Sequence, residues 1–145
     1  MLLVTISLLL AINCNAQVQA VAWWSFENVS DTSVMDVQAQ ISDTISGNHR
    51  TVNGVAGSAL VFDGYTSVIN RDADHAPQLQ KEFTIDVWLA VAAYPWNDVP
   101  IISHNDEKLR GYALEIGPRG ELRFELVVNG RIISARSGCY VLPSY

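Results

Sequence analysis

A short segment of the sequence, AAYPWNDVP, places aromatic and polar side chains next to one another. Its candidate binding residues are Tyr94, Trp96, Asn97 and Asp98. An aromatic ring can stack on the apolar face of a sugar, while amide and carboxylate oxygens hydrogen-bond to its hydroxyl groups. Trp88, on the polar face of a predicted strand just upstream, extends this set. These residues predict a carbohydrate-binding surface; the competing interpretation is that Tyr94 and Trp96 close the end of the core.

Carboxylate pairs for glycoside hydrolysis lack the required spacing along any one strand. Glu121 and Glu125, like Glu82 and Asp86, are four residues apart, which is roughly 13 Å in an extended strand. Retaining glycosidases place their carboxyl groups about 5–5.5 Å apart and inverting ones about 6.5–9.5 Å. Neither pair qualifies as a catalytic pair unless its side chains bend strongly inward, whereas a pair on neighbouring strands stays open.

The histidines and cysteines suggest neither a nucleophile nor a zinc site. His49, His75 and His104 are isolated along the chain, and no serine lies in a Gly-x-Ser-x-Gly turn. If Cys14 leaves with a signal peptide, Cys139 is the only thiol and no intrachain disulfide can form. We expect no enzymatic activity in this chain. Cys139 is interpreted either as a small buried hydrophobic residue or as one whose surroundings are missing.

The hydrophobic pattern predicts strands and little helix. Large apolar residues recur at every second position over 83–91 and again over 122–128, as in strands with one buried face. Asn129-Gly130 then supplies the positive φ angles of a tight type I′ turn, and RIISAR returns as the partner strand. The polar stretches Ser30–Asp43 and Arg71–Glu82 are the longest predicted loops.

Several motifs occur in an order that resembles the laminin-G-like, concanavalin A-like jelly-roll family. They are the opening strand VAWWSFEN, the stretch DTISGNHRTVNGVAGSAL, the FDG at Phe62–Gly64, the short strand Ser67–Asn70, the strand FTIDVWLAV from Phe83, and PIISHNDEKLRGYALEIGPRGELRFEL. The resemblance covers about Val21 to Arg136. It implies an all-β, antiparallel β-sandwich. Family members continue with further strands, so the resemblance also implies that C-terminal strands are missing from this sandwich.

The same resemblance implies a calcium site. Jelly rolls of this type often hold Ca²⁺ through loop oxygens, and carboxylate, amide and carbonyl oxygens suit that ion. The matching positions are Asp43 and Asn48, before the short strand, and Asp63 of the FDG motif. Asp63-Gly64 is also a favourable turn sequence without any metal.

The N-terminus predicts secretion. Leu2–Ile12 is an apolar run too short to cross a bilayer, which takes about 20 residues, but suited to a signal peptide. Small residues before Gln17 favour cleavage after Ala16. We therefore expect a signal peptide at 1–16 and one domain at 17–145, in an extracellular or periplasmic protein. Lipid anchoring at Cys14 and an ordinary buried first strand are the alternatives.

Charge and composition limit the classes of molecule that the chain is expected to bind. The net charge is −6, with lysines and arginines scattered singly, which disfavours nucleic acid and anionic lipid. The residues and the resemblance together predict a non-catalytic domain that recognises polysaccharide or glycoconjugate, the N-terminal module of a secreted carbohydrate-active enzyme. Two alternatives stay open: a fragment of a glycoside hydrolase whose catalytic domain lies downstream, and a protein-binding adhesion or spacer module.

Overall fold

A computed structural model describes residues 20–77, 79, 82–106 and 110–142. The predicted signal peptide at 1–16 lies outside the described residues. The described part of the chain forms nine strands and one short 3₁₀ helix, Ala73–His75. The strands are β1 (Ser33–Asp36), β2 (Ile41–Ser46), β3 (His49–Asn53), β4 (Ser58–Phe62), β5 (Val68–Asn70), β6 (Val99–Asp106), β7 (Arg110–Ile116), β8 (Leu122–Val128) and β9 (Arg131–Arg136).

The strands pair antiparallel throughout, which confirms the predicted all-β class. One sheet has the order β1-β2-β5, a second pairs β3 with β4, and the third is the meander β6-β7-β8-β9. The predicted strands ending at Phe62 and covering Ser67–Asn70 correspond to β4 and β5. The predicted hairpin is confirmed as β8 and β9, with Asn129 at φ 50° and Gly130 at φ 72°, the left-handed pair that a type I′ turn requires.

The prediction of a loop over Ser30–Asp43 is wrong, because this stretch contains β1 and the start of β2. Both strands alternate between buried and more exposed positions, but two of the buried positions are aspartates. Val34 and Asp36 of β1 have no exposed surface, and Asp43 of β2 has 2%. Polar residues on the inner face hide the period of two from hydrophobicity alone.

The predicted opening strand VAWWSFEN is also wrong: residues 21–28 form no strand. The backbone of this segment is held in part by a side chain rather than by a neighbouring strand. The Trp23 N–H donates to Asp36 Oδ1 at 2.9 Å, and the Trp23 carbonyl accepts from the Val37 N–H at 2.9 Å. Trp24 is half-buried and Trp23 is exposed, as expected for adjacent residues that face opposite ways.

The predicted strand over 83–92 does not form either. A strand needs a ladder of backbone hydrogen bonds, and residues 82–90 have no regular secondary structure. The alternation holds only at the start, where Phe83 packs 5.6 Å from the Tyr112 ring and 6.1 Å from the Phe124 ring. Val87 and Leu89, predicted to face the core, are exposed.

The β-sandwich has an interior in which polar groups are prominent. Within the described residues the buried apolar side chains are Val34, Ile45 and Ile116. Burial raises the pKa of Tyr112 on β7, although the positive charge of Arg71 opposes that effect. The described residues include no helix with the length and apolar character needed to span a membrane.

Candidate functional site

The segment between Trp88 and β6 presents two tryptophans to solvent. Trp96 is 90% exposed and Trp88 is 81% exposed. Trp96 lies between the half-buried Pro95 and the exposed Asn97, whose amide has no hydrogen-bond partner among the described residues. Proline fixes φ near −65°, which limits the conformations of the backbone just before the tryptophan. A large indole left in water on a short loop is available for contact with a ligand.

Tyr94 anchors the N-terminal side of this loop. Its hydroxyl donates to the Leu142 carbonyl at 2.6 Å, and its ring lies 6.0 Å from the ring of Tyr140. The ring also covers Gly120, where an added Cβ would be 2.6 Å from Tyr94 Cε1. Of the two interpretations of the aromatic pair, Tyr94 therefore closes the end of the domain, whereas Trp96 does not.

Asp98 anchors the C-terminal side. Its Oδ2 lies 3.3 Å from Arg123 Nη2 and 3.4 Å from Arg136 Nη2. These ion pairs fix the start of β6 against β8 and β9. The predicted binding set therefore divides into two anchors, Tyr94 and Asp98, and three uncommitted groups, Trp88, Trp96 and Asn97.

A cross-strand pair of glutamates lies on the outer face of the four-stranded sheet. Glu115 faces Arg123 in the β7–β8 register, and Glu125 lies two residues further along β8. Arg123 donates from Nε to Glu115 at 2.7 Å, and its Nη1 lies 3.6 Å from Glu125. The hydrogen bond from Arg123 to Glu115 is the main reason that the arginine's pKa is raised. Because both carboxylates contact the same guanidinium, the arrangement is an ion-pair cluster typical of a sheet surface.

The three residues predicted to bind calcium have different partners. Asp63 organises its own loop: it accepts hydrogen bonds from the backbone N–H groups of residues 65–67 and from the hydroxyls of Thr66 and Ser67. These bonds, the Ser67 hydroxyl's above all, hold the pKa of Asp63 far below its ordinary value. Asn48 adjoins this loop, since its N–H donates to Thr66 Oγ1 at 3.1 Å and its carbonyl oxygen lies 2.8 Å from the Ser67 hydroxyl oxygen.

Asp43 has no part in that loop, because its carboxylate is bonded to Arg71 and Trp24. Within the described residues no three His, Cys, Asp or Glu side chains form a group that could hold a metal ion. The three predicted ligands therefore do not fit a single calcium site. Calcium binding by this chain stays a prediction that rests on the family resemblance alone. Comparing the melting temperature in calcium and in EDTA would test it.

A buried cluster of Trp24, Asp36, Asp43 and Arg71 was not predicted. Arg71 Nη2 lies 2.8 Å from Asp36 Oδ2 and 2.7 Å from Asp43 Oδ2. The guanidinium carbon lies 4.8 Å from the centre of a Trp24 ring, and the Trp24 indole N–H donates to Asp43 at 2.6 Å. Each side chain hydrogen-bonds to at least one other member, so the cluster stabilises the sandwich rather than offering free ligands. The available signal was an arginine directly after a short strand, which is too common to indicate such a cluster.

The three histidines and Cys139 have separate surroundings. The His49 ring contacts the Gly47 carbonyl at 3.1 Å, the His104 ring packs 5.9 Å from Tyr112, and His75 lies in the 3₁₀ helix. Cys139 is exposed and unpaired, so its interpretation as a buried residue is wrong. Neither a catalytic triad nor a thiol–histidine pair is present among the described residues.

Comparison with known proteins shows the fold and no more. The structure is similar to a crystal structure of an S-layer domain-containing protein (residues 221–444) from Clostridium thermocellum ATCC 27405, with a TM-score of 0.67 and 19% sequence identity. The similarity covers 83% of this chain and 58% of that chain, so the present chain spans little more than half of the other. No protein-family model and no curated protein matches the sequence.

Proposed function

We propose that this domain is a non-catalytic carbohydrate-recognition module of a secreted protein, and that Trp96 forms the stacking surface. The observation that carries the proposal is the 90% exposure of Trp96, on a loop whose two ends are anchored by Tyr94 and Asp98. Anchoring reduces the conformational entropy that the loop would lose on binding. Asn97 supplies a free amide next to the ring for hydrogen bonds to sugar hydroxyls.

Charge and ligand chemistry favour a neutral or hydroxyl-rich partner. The chain carries a net charge of −6, which repels polyanions. In the proposed setting the domain directs a covalently linked catalytic domain to its polysaccharide. The glutamate pair at Glu115 and Glu125 is engaged by Arg123, which favours a binding function over hydrolysis in this chain.

Binding of the purified chain to a glycan array tests the proposal. Trp96→Ala should weaken binding at least tenfold to the glycans that the wild-type chain binds. Tyr65→Ala is a matched control, because Tyr65 is 91% exposed on a different loop and its removal should change nothing. Equal binding by wild type and Trp96→Ala would contradict the proposal.

The edge strand β9 favours a second candidate, a protein-binding adhesion module. All six of its residues are exposed, including Ile132 at 66% and Ile133 at 60%, which face opposite sides of the sheet. Exposed sheet edges can pair with a strand of another protein. An adhesion module would keep its partner binding in Trp96→Ala and lose it when Ile132 and Ile133 are replaced by lysine.

A further inference from the structure

The outer face of the three-stranded sheet carries a row of hydroxyl groups. Ser42, Thr44 and Ser46 of β2 all point away from the core, opposite to the buried Asp43 and Ile45. Alternate residues of one strand lie about 6.8 Å apart on the same face. The row is therefore a regular array of groups that can both donate and accept hydrogen bonds.

The register of the sheet and the 3₁₀ helix turn part of this face into a pocket. Asn70 of β5 lies directly opposite Thr44, and the turn that follows brings in Asp72 and His75. The resulting concavity has a volume of about 140 Å³ and is lined by Ser42, Thr44, Asn70, Asp72 and His75, with Asp43 and Ile41. The concavity is open to solvent on one side, so a single sugar ring bound there would keep part of its surface in water.

The outward polar groups of the pocket are uncommitted. The side chains of Ser42, Thr44, Asn70, Asp72 and His75 make no hydrogen bond to another described residue. The carboxylates elsewhere behave differently, since Asp63 and Asp36 each accept three or more hydrogen bonds. Convergent groups without internal partners can bind a ligand without breaking existing bonds.

The charge of the pocket selects among ligand classes. No lysine or arginine lines it, so phosphate, sulfate and carboxylate ligands lack a counter-charge. The negative charge of Asp43 is paired with Arg71, which leaves Asp72 as one exposed carboxylate. Calcium requires about six to eight oxygen ligands, usually with several carboxylates. Two hydroxyls, an amide, a carboxylate and an imidazole match a neutral ligand whose hydroxyl groups both donate and accept.

We infer that the pocket formed by β2, β5 and the 3₁₀ helix is a binding site for one neutral sugar ring, separate from the Trp96 loop. Thr44 and Asn70, which face each other in the sheet register, hydrogen-bond to adjacent ring hydroxyls. Ser42, Asp72 and His75 surround the rest of the ring.

NMR titration of the isotope-labelled chain tests this inference. The probes are D-glucose, D-galactose, D-mannose and N-acetyl-D-glucosamine, each raised to about 10 mM so that a dissociation constant near 1 mM is measurable. At least one sugar should shift the signals of Thr44, Asn70 and His75 in a saturable manner. Thr44→Val and Asn70→Ala should each weaken that binding about tenfold, the effect of losing one good hydrogen bond.

Ser46→Ala is the matched control, since Ser46 lies on the same face of β2 outside the pocket and should bind as wild type does. The same titration of Trp96→Ala separates the two sites: pocket shifts that persist support the inference even if the glycan-array test of Trp96 fails. The inference is overturned if no sugar shifts the pocket signals, if Thr44→Val and Asn70→Ala bind as wild type does, or if Trp96→Ala removes the pocket shifts.

Discussion

Arg71 binds the Asp43 carboxylate through two donors, Nε at 2.8 Å to Oδ1 and Nη2 at 2.7 Å to Oδ2. Its Nη2 also donates to Asp36, whose side chain has no exposed surface. The hydrogen bonds to Asp43 are the main reason that the pKa of Arg71 is raised. One cation therefore pairs with two buried carboxylates on adjacent strands, β1 and β2, and links both strands to the end of β5.

Replacing Arg71 should strongly destabilise the domain. Arg71→Met keeps much of the side-chain volume but leaves Asp36 and Asp43 buried without a counter-charge. Removing one partner of a buried ion pair typically costs about 3–5 kcal/mol, and we expect a loss of this size in urea unfolding. Arg119→Met, at an exposed arginine 3.7 Å from Glu121, should cost less than about 1 kcal/mol. Similar losses for the two variants would contradict the assigned role of Arg71.

Stability should fall in acid, partly because of Asp36. Burial raises the pKa of this carboxyl, but hydrogen bonds from Trp23, Ala39, Arg71 and Gln38 outweigh burial and place it below the ordinary value. A lowered pKa stabilises the fold above the unfolded value of about 4 and loses that contribution as the pH falls through the folded value. The urea midpoint of wild type should therefore drop below about pH 4.

Asp36→Asn should remove that part of the acid dependence. Its urea midpoint should be lower than that of wild type at neutral pH and should change less below about pH 4. Asp31→Asn, at an exposed position in the turn before β1, serves as the control and should follow wild type. Parallel pH curves for wild type and Asp36→Asn would rule out a role for Asp36 in acid unfolding.

Gly120 should tolerate alanine less well than Gly130 does. Both have positive φ angles, 68° and 72°, where alanine costs about 1–2 kcal/mol. At Gly130 an added Cβ meets nothing within 4 Å, whereas at Gly120 it would displace the Tyr94 ring. Thermal unfolding should show Gly120→Ala at least about 1 kcal/mol less stable than Gly130→Ala, because overpacking adds to the backbone cost. Equal losses of stability in the two variants would mean that the Tyr94 ring moves aside at no cost, which would contradict this prediction.

Strand β9 should promote self-association. At the other edge of the same sheet, β6 carries Pro100 and a bulge between Pro100 and Ile102, two features that protect edges. No proline occurs in β9, and both of its isoleucines are exposed. Sedimentation velocity should show association that rises with concentration and is reduced by Ile132→Lys. Val55→Lys, at a loop residue 78% exposed, should not change the association. If it reduces association as much as Ile132→Lys does, the added positive charge is the cause and the role of β9 is contradicted.

Local signals in the sequence were sufficient for part of the fold. Asn129-Gly130 specifies its turn by backbone geometry alone, and the flanking residues alternate cleanly, so the β8–β9 hairpin could be predicted. The strands β1 and β2 could not, because Asp36 and Asp43 occupy inner positions that a hydrophobicity pattern assigns to solvent. Their burial depends on Arg71, about 30 residues further along the chain, and long-range charge pairing leaves no local period.

The candidate site was predictable only as a set of residue types. The sequence placed Tyr94 and Trp96 in one loop but could not separate their roles, because the contacts of Tyr94 with Gly120 and Leu142 come from distant parts of the chain. The strand predicted from Phe83 onward was wrong for a related reason. Its alternation is that of a strand, but strand formation depends on a backbone partner elsewhere in the structure.

Calorimetric titration of the best glycan from the array into wild type, Trp88→Ala and Trp96→Ala tests carbohydrate recognition most directly. We expect Trp96→Ala to weaken binding at least tenfold, since the variant loses both the stacking contact and the apolar area that the indole buries against the ligand. Circular dichroism should show the same fold in all three proteins. If wild type binds no glycan, or if folded Trp96→Ala binds with wild-type affinity, the domain does not recognise carbohydrate through this loop.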